Sequence, residues 1–156
     1  SLKKGGKVML FGNGGSASDS QHIAAELVGR YQKDRQPLPA IALTTNTSIL
    51  TAIANDYGYE SVFVKQVEAL GQKNDIAIGI STSGKAKNVA AAIKQAKKMG
   101  IKTIVFTGGD GGEIAKLADV ALVVPSKVTA RIQEAHIAVG HIICELVEDY
   151  FVSNPR

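Results

Sequence analysis

His22 and Glu26 stand four residues apart, shortly after the run Phe11-Gly12-Asn13-Gly14-Gly15-Ser16. At helical spacing an imidazole and a carboxylate share one face, where they can move protons or hold a metal. The glycines let the backbone approach a ligand closely, and the helix that follows offers free N–H groups and a positive dipole end to an anion. All three histidines, His22, His136 and His141, fall on predicted helices. Gln133 and His141 are eight residues apart, about 80° around a helix, and so lie on neighbouring parts of one face. With His22 and Glu26 they offer two nitrogens and two oxygens, a donor set that suits zinc. Three readings stay open on spacing alone: a metal site, a satisfied His–Glu pair, and a carboxylate and imidazole flanking a bound sugar for enediol chemistry.

A second loop carries polar atoms of a different kind. Ser81-Thr82-Ser83-Gly84 follows an apolar run and leads into a helical pattern. Three adjacent hydroxyls beside helix N-terminal amides suit a phosphate, although serine and threonine also serve simply as helix caps. The first glycine turn has a rival reading as well, because Gly12 to Ala17 fits the dinucleotide fingerprint. That fingerprint expects an acid at the end of the second strand, and Thr44-Thr45-Asn46-Thr47-Ser48 supplies none there.

These loops need a scaffold, and the hydrophobic pattern predicts one. Strands are expected at 7–11, 40–43, 75–80, 102–106 and 120–124, most of them continuously apolar, as strands buried on both faces are. Helices are expected near 16–31, 49–55, 59–70, 86–99, 112–117 and 129–151. Strands alternating with helices give an α/β fold, a three-layer αβα sandwich around a five-stranded parallel sheet of flavodoxin-like or Rossmann-like type. In such sheets ligands bind beyond the carboxyl ends of the strands, where both loops fall. The final helix is apolar nearly all round, which predicts burial either by another subunit or as a central helix within one chain.

Composition narrows the class further. With 156 residues, 45% hydrophobic and 21% charged, the chain reads as one globular domain over 1–156. No apolar run reaches the roughly 18 to 20 residues that span a bilayer, and no signal core is visible, so a cytoplasmic protein is expected. The net charge of +4 is dispersed, Lys94, Lys97 and Lys98 excepted, and aromatics are scarce at 5%, which argues against nucleic acid as a partner. Cys144, the single cysteine, lies in an apolar helical run and reads as a small buried hydrophobe.

Together the ordered motifs resemble the sugar isomerase (SIS) domain family, and within it the phosphoheptose isomerases. The resemblance rests on Gly12 through Ser16, His22 through Glu26-Leu27 with Gly29-Arg30-Tyr31, Asn55-Asp56-Tyr57-Gly58, Ile80 through Gly84, and Arg131-Ile132-Gln133-Glu134 with His136 and His141. It implies conversion of D-sedoheptulose 7-phosphate to D-glycero-D-manno-heptose 7-phosphate through a cis-enediol, toward heptose for lipopolysaccharide or related surface glycans. It also implies a homotetramer with active sites between subunits. On the same ground Glu26 and His141 are expected to be catalytic, and His22, Glu26, Gln133 and His141 to hold one zinc ion. Ser81, Thr82 and Ser83 would bind the phosphate. Asn13, Gly14, Gly15, Ser16, Asn55 and Asp56 would line the sugar, which Glu26 and Gln133 also touch.

The chain departs from the family pattern in three places. Lys85 and Ala86 follow Gly84 where many members have Asn-Ser, so one phosphate hydroxyl is missing, and Lys85 reads either as a replacement point charge or as a solvated lysine. Ala130 stands where members often carry Asp. An N-terminal helical segment common in the family is not apparent. Two other classes of function fit the motifs: a non-catalytic tetrameric scaffold resembling the replication-initiator-associating proteins, and a sugar-phosphate-binding regulatory module.

Overall fold

Five parallel strands form the sheet: β1 (Val8–Gly12), β2 (Ala40–Ala42), β3 (Ile76–Ser81), β4 (Lys102–Gly108) and β5 (Val120–Val124), in the order β2-β1-β3-β4-β5. The computed structural model describes residues 1–154. Alternation along β1 explains how one apolar run feeds two cores, since successive side chains point to opposite faces. Met9 and Phe11 join Ala77, Val89, Ile93 and Val105 on one face, while Val8 and Leu10 join Ile23, Ile78, Phe106 and Cys144 on the other. The first core is closed by α2 (Thr47–Tyr57), α3 (Val64–Leu70), α4 (Lys87–Lys98) and α5 (Gly112–Leu117). The second is closed by α1 (Gly15–Val28) and α6 (Thr129–Ser153), which pack against each other.

Continuous burial holds for β1 and nearly so for β3 and β4, the interior strands. The edge strands differ, and β5 leaves Val120 and Val123 exposed, because an edge has a neighbour on one side only. The helix expected over 59–70 is broken: a 3₁₀ turn covers Tyr59–Ser61 before α3 begins. A second 3₁₀ turn at Leu2–Lys4, which the sequence pattern did not predict, seats Leu2 in the core.

The helix expected over 16–31 stops at Val28. Gly29 removes helix preference there, and the Arg35 guanidinium satisfies the carbonyls of Glu26 (2.8 Å) and Gly29 (3.1 Å) that a further turn would have used. Beyond Gly29 the chain becomes a strap lying against α6.

Within this chain helix α6 is buried along one stripe and is not central. Ile132, His136, Gly140, Cys144, Glu148 and Phe151 form its buried stripe, whereas Ile142, Leu146 and Tyr150 are exposed at 52%, 64% and 40%. Lys94 and Lys97 are absorbed by ion pairs to Glu113 (3.1 Å) and Asp119 (3.5 Å), which join α4 to α5 and its C-terminal flank. No helix of the described residues is long and apolar enough to cross a membrane.

Candidate active site

The strand order reverses between β1 and β3, because β2 lies on one side of β1 and all later strands on the other. Gly12 at the end of β1 pairs with Ile80 near the end of β3, so the two polar loops leave the sheet side by side. Asn13 and Asn88 clasp this crevice by exchanging amide hydrogen bonds of 2.9 and 2.8 Å, and the Tyr59 hydroxyl donates to Asn13 Oδ1 at 3.3 Å. This is the switch-point crevice in which open α/β sheets bind ligands.

Gly15 begins α1, and a Cβ there would lie 2.2 Å from Gln133 Nε2, so the missing side chain is what admits the glutamine. Ser16, one residue on, is buried. Seven residues further along α1, and eight along α6, His22 and His141 meet with their Nε2 atoms 2.9 Å apart. The two helices therefore run in the same direction and stay in register. Glu26 Oε1 lies 3.2 Å from His22 Nε2. One donor atom each from His22, Glu26 and His141 lies within 4.8 Å of the others. Gln133 is set against Gly15 at the start of α1, two helical turns before His22.

Facing imidazole lone pairs repel unless a proton or a cation lies between them. With a carboxylate oxygen beside them, the three groups have the donor chemistry of a borderline metal site, and equally that of a proton-transfer pair. Behind the cluster, His136 is fully buried with Nε2 2.9 Å from the Thr107 carbonyl oxygen. A carbonyl only accepts, so Nε2 carries the proton, and burial holds the ring's pKa below the ordinary histidine value. Asp19, one turn before His22, is shifted the other way: burial raises its carboxyl, against the partial opposition of His136 and His22. Sequence reasoning singled out neither group, and the proximity of half-buried Asp19 on α1 to buried His136 on α6 leaves no local spacing signal.

In the second loop, Ser81 ends β3 and is buried, while Thr82 and Ser83 face an open cleft of about 670 Å³ shared with Lys85, Ser126, Lys127 and Thr129. The hydroxyls do not cap α4, whose N-cap is Ala86 without a side-chain bond, although Ser83 Oγ accepts from the Lys85 N–H at 3.2 Å. Gly84, at φ +64°, packs so closely on Gly111 that a Cβ would lie 2.2 Å from its carbonyl oxygen. That contact fixes the loop. Lys85 reaches the cleft, and neither it nor Lys127 has an ion-pair partner among the described residues. Ser126 and Lys127 come from the β5–α6 loop, which the motif reading did not include. Asn55 and Asp56 sit near the end of α2, exposed, with Asn55 Nδ2 donating to Asp56 Oδ1 at 2.8 Å. Cys144 is fully buried, and burial pushes its thiol up to about 11, which leaves it unreactive.

A doubly wound sheet with a glycine turn and a hydroxyl loop across its switch point is the architecture of the SIS domain family, whose pattern matches residues 1–108. Phosphoheptose isomerase of Aquifex aeolicus is 62% identical over 148 residues, covering 95% of this chain and 78% of that protein. The solved phosphoheptose isomerase of Neisseria gonorrhoeae superposes with a TM-score of 0.90 at 50% identity, over 95% of this chain and 79% of that one. That of Francisella tularensis gives 0.91 at 40% identity, with the same coverage. The chain belongs to the phosphoheptose isomerases of the SIS domain family, and it is a sugar-phosphate isomerase.

Proposed function

We propose that this isomerase converts D-sedoheptulose 7-phosphate to D-glycero-D-manno-heptose 7-phosphate, with Glu26 and His141 as its proton-transfer groups. The observation that carries the reading is the meeting of His22, Glu26 and His141 between α6 and α1, the helix that begins at the glycine turn beside the hydroxyl loop. Glu26 takes the proton from C1 of the ketose while the C2 oxygen gains one, which gives the cis-enediol. His141 then delivers a proton to C2 as the C1 hydroxyl loses its own and the C1 carbonyl forms. Atoms and charge balance, and no redox partner is needed. Ser81, Thr82 and Ser83 hold the phosphate, with Lys85 supplying positive charge where the usual serine is replaced by Ala86. Asn13, Gly14, Gly15, Ser16, Asn55, Asp56 and Gln133 line the sugar.

The donor set of His22, Glu26 and His141 fits zinc, and Gln133, which lies against Gly15 apart from the three, is assigned as fourth ligand on the family resemblance. When bound, such an ion polarises the substrate carbonyl as a Lewis acid. The protein is taken as one SIS domain over 1–156, acting in the cytoplasm in heptose supply for lipopolysaccharide or related glycans. It is taken to assemble as a homotetramer with active sites between subunits. Exposed apolar residues on α6, and an α2 with no buried residue, support the assembly. The full chain, incubated with sedoheptulose 7-phosphate with and without added zinc, is expected to yield the aldose. Ligand binding without turnover would instead favour a regulatory module, and neither binding nor turnover would favour a scaffold.

A further inference from the structure

Glu148 is nearly fully buried on α6, and its carboxylate is not idle. Oε1 accepts the N–H groups of Gln32 (2.6 Å) and Lys33 (2.7 Å), and Oε2 accepts that of Tyr31 (2.8 Å). Arg35 Nε lies 3.3 Å from Oε2, with the two side chains only 2% and 1% exposed. The same guanidinium donates to the carbonyl of Glu26 at 2.8 Å and to that of Gly29 at 3.1 Å. One buried ion pair therefore ties the backbone at Glu26, through the strap, to the helix that bears His141. The strap also returns a side chain to the site, for the Tyr31 ring lies against the His141 ring with centroids 5.4 Å apart. His141 and Glu148 are seven residues apart, within about 20° of two full turns, and so face the same way.

We infer that Tyr31 is a positioning residue for His141, held in place by the buried Glu148–Arg35 pair through the strap. The inference rests on the proposed roles of Glu26 and His141. A imidazole that must reach one carbon of an enediol tolerates little misplacement, and an error near 1 Å can cost on the order of 100-fold in rate. Tyr31 is one of two rings against His141, the other being His22 with centroids 5.0 Å apart. Its hydroxyl has no part in this.

Steady-state kinetics of the full chain with sedoheptulose 7-phosphate provide the test, using Tyr31→Ala, Tyr31→Phe, Glu148→Gln and Glu26→Gln. Tyr31→Ala is expected to lower kcat on the order of 10- to 100-fold with KM within about threefold, and Tyr31→Phe to restore kcat to within about twofold. Adding Glu148→Gln to Tyr31→Ala should cost less than the product of the single effects, since both act on one contact. If Glu148→Gln does not fold, the Tyr31 variants, at a half-buried position, decide alone. A Tyr31→Ala enzyme with wild-type kcat, or a Tyr31→Phe enzyme as slow as Tyr31→Ala, overturns the inference. Full activity of Glu26→Gln overturns the proposed roles beneath it, whereas an inactive Glu26→Gln beside a fully active Tyr31→Ala overturns the positioning role alone.

Discussion

At the scale of single residues, the cluster sets donor atoms of three side chains against one another. His22 and His141 cannot both present lone pairs at 2.9 Å, so the occupant of that contact, a proton or a cation, sets the charge felt by Glu26. The proposed phosphate end obeys simpler rules. Ser83 faces the cleft and makes only a local bond to the Lys85 N–H, so its loss should remove a charge-assisted hydrogen bond to substrate without disturbing the loop. Ser83→Ala is expected to raise KM by about 10-fold, equivalent to roughly 1.4 kcal/mol, with kcat within about twofold, as initial-rate measurements would show. An unchanged KM would remove Ser83 from the phosphate site. His22 and Glu26 were legible because four-residue spacing on a helix is a local signal. Asp19 with His136, and Tyr31 with His141, were not, because only the packing of α1, the strap and α6 brings them together.

Elements were legible where one periodicity governed them. All five strands and six helical regions fall where apolar runs and helical spacing place them, and the ends shift where side chains intervene. The clearest case is α1, shortened because Arg35 takes its last carbonyls and Glu148 captures the amides of the strap. Neither residue announces this in the sequence. Burial alone would raise the Glu148 carboxyl, but the amides of Lys33, Gln32 and Tyr31 together with Arg35 outweigh it and hold its pKa below the ordinary carboxylate value. A carboxylate depressed in the folded state binds fewer protons there than in the unfolded chain. Its stabilising contribution is therefore complete above the unfolded pKa and is lost as pH falls through the lower, folded one. Thermal melting from pH 7 to pH 3 should show Glu148→Gln least stable relative to wild type at pH 7, by about 3–5 kcal/mol, with the gap closing in acid. A gap independent of pH would show that the charge of Glu148 does not anchor the strap.

At the scale of the whole molecule, the doubly wound sheet explains why distant segments of sequence meet: the β1–β3 switch point sets residues 12–16 beside 81–84, and parallel α1 and α6 bring 22–26 to 141. The apolar character of α6 was legible, but its direction was not. The sequence pattern allowed a central helix, whereas the fold buries one stripe and turns Ile142, Leu146 and Tyr150 outward. In the proposed tetramer that outward stripe is covered. Replacing Ile142 and Leu146 together by Asp is expected to reduce the mass in solution by light scattering from four chains to fewer, and a wild-type protein that is monomeric would contradict the assembly. The central claim is isomerisation through Glu26, and it is tested most directly by following aldose formation from sedoheptulose 7-phosphate with wild type and Glu26→Gln side by side. Turnover by the wild type and a loss on the order of 10² to 10⁴ in Glu26→Gln are predicted; equal rates in the two proteins would contradict the account.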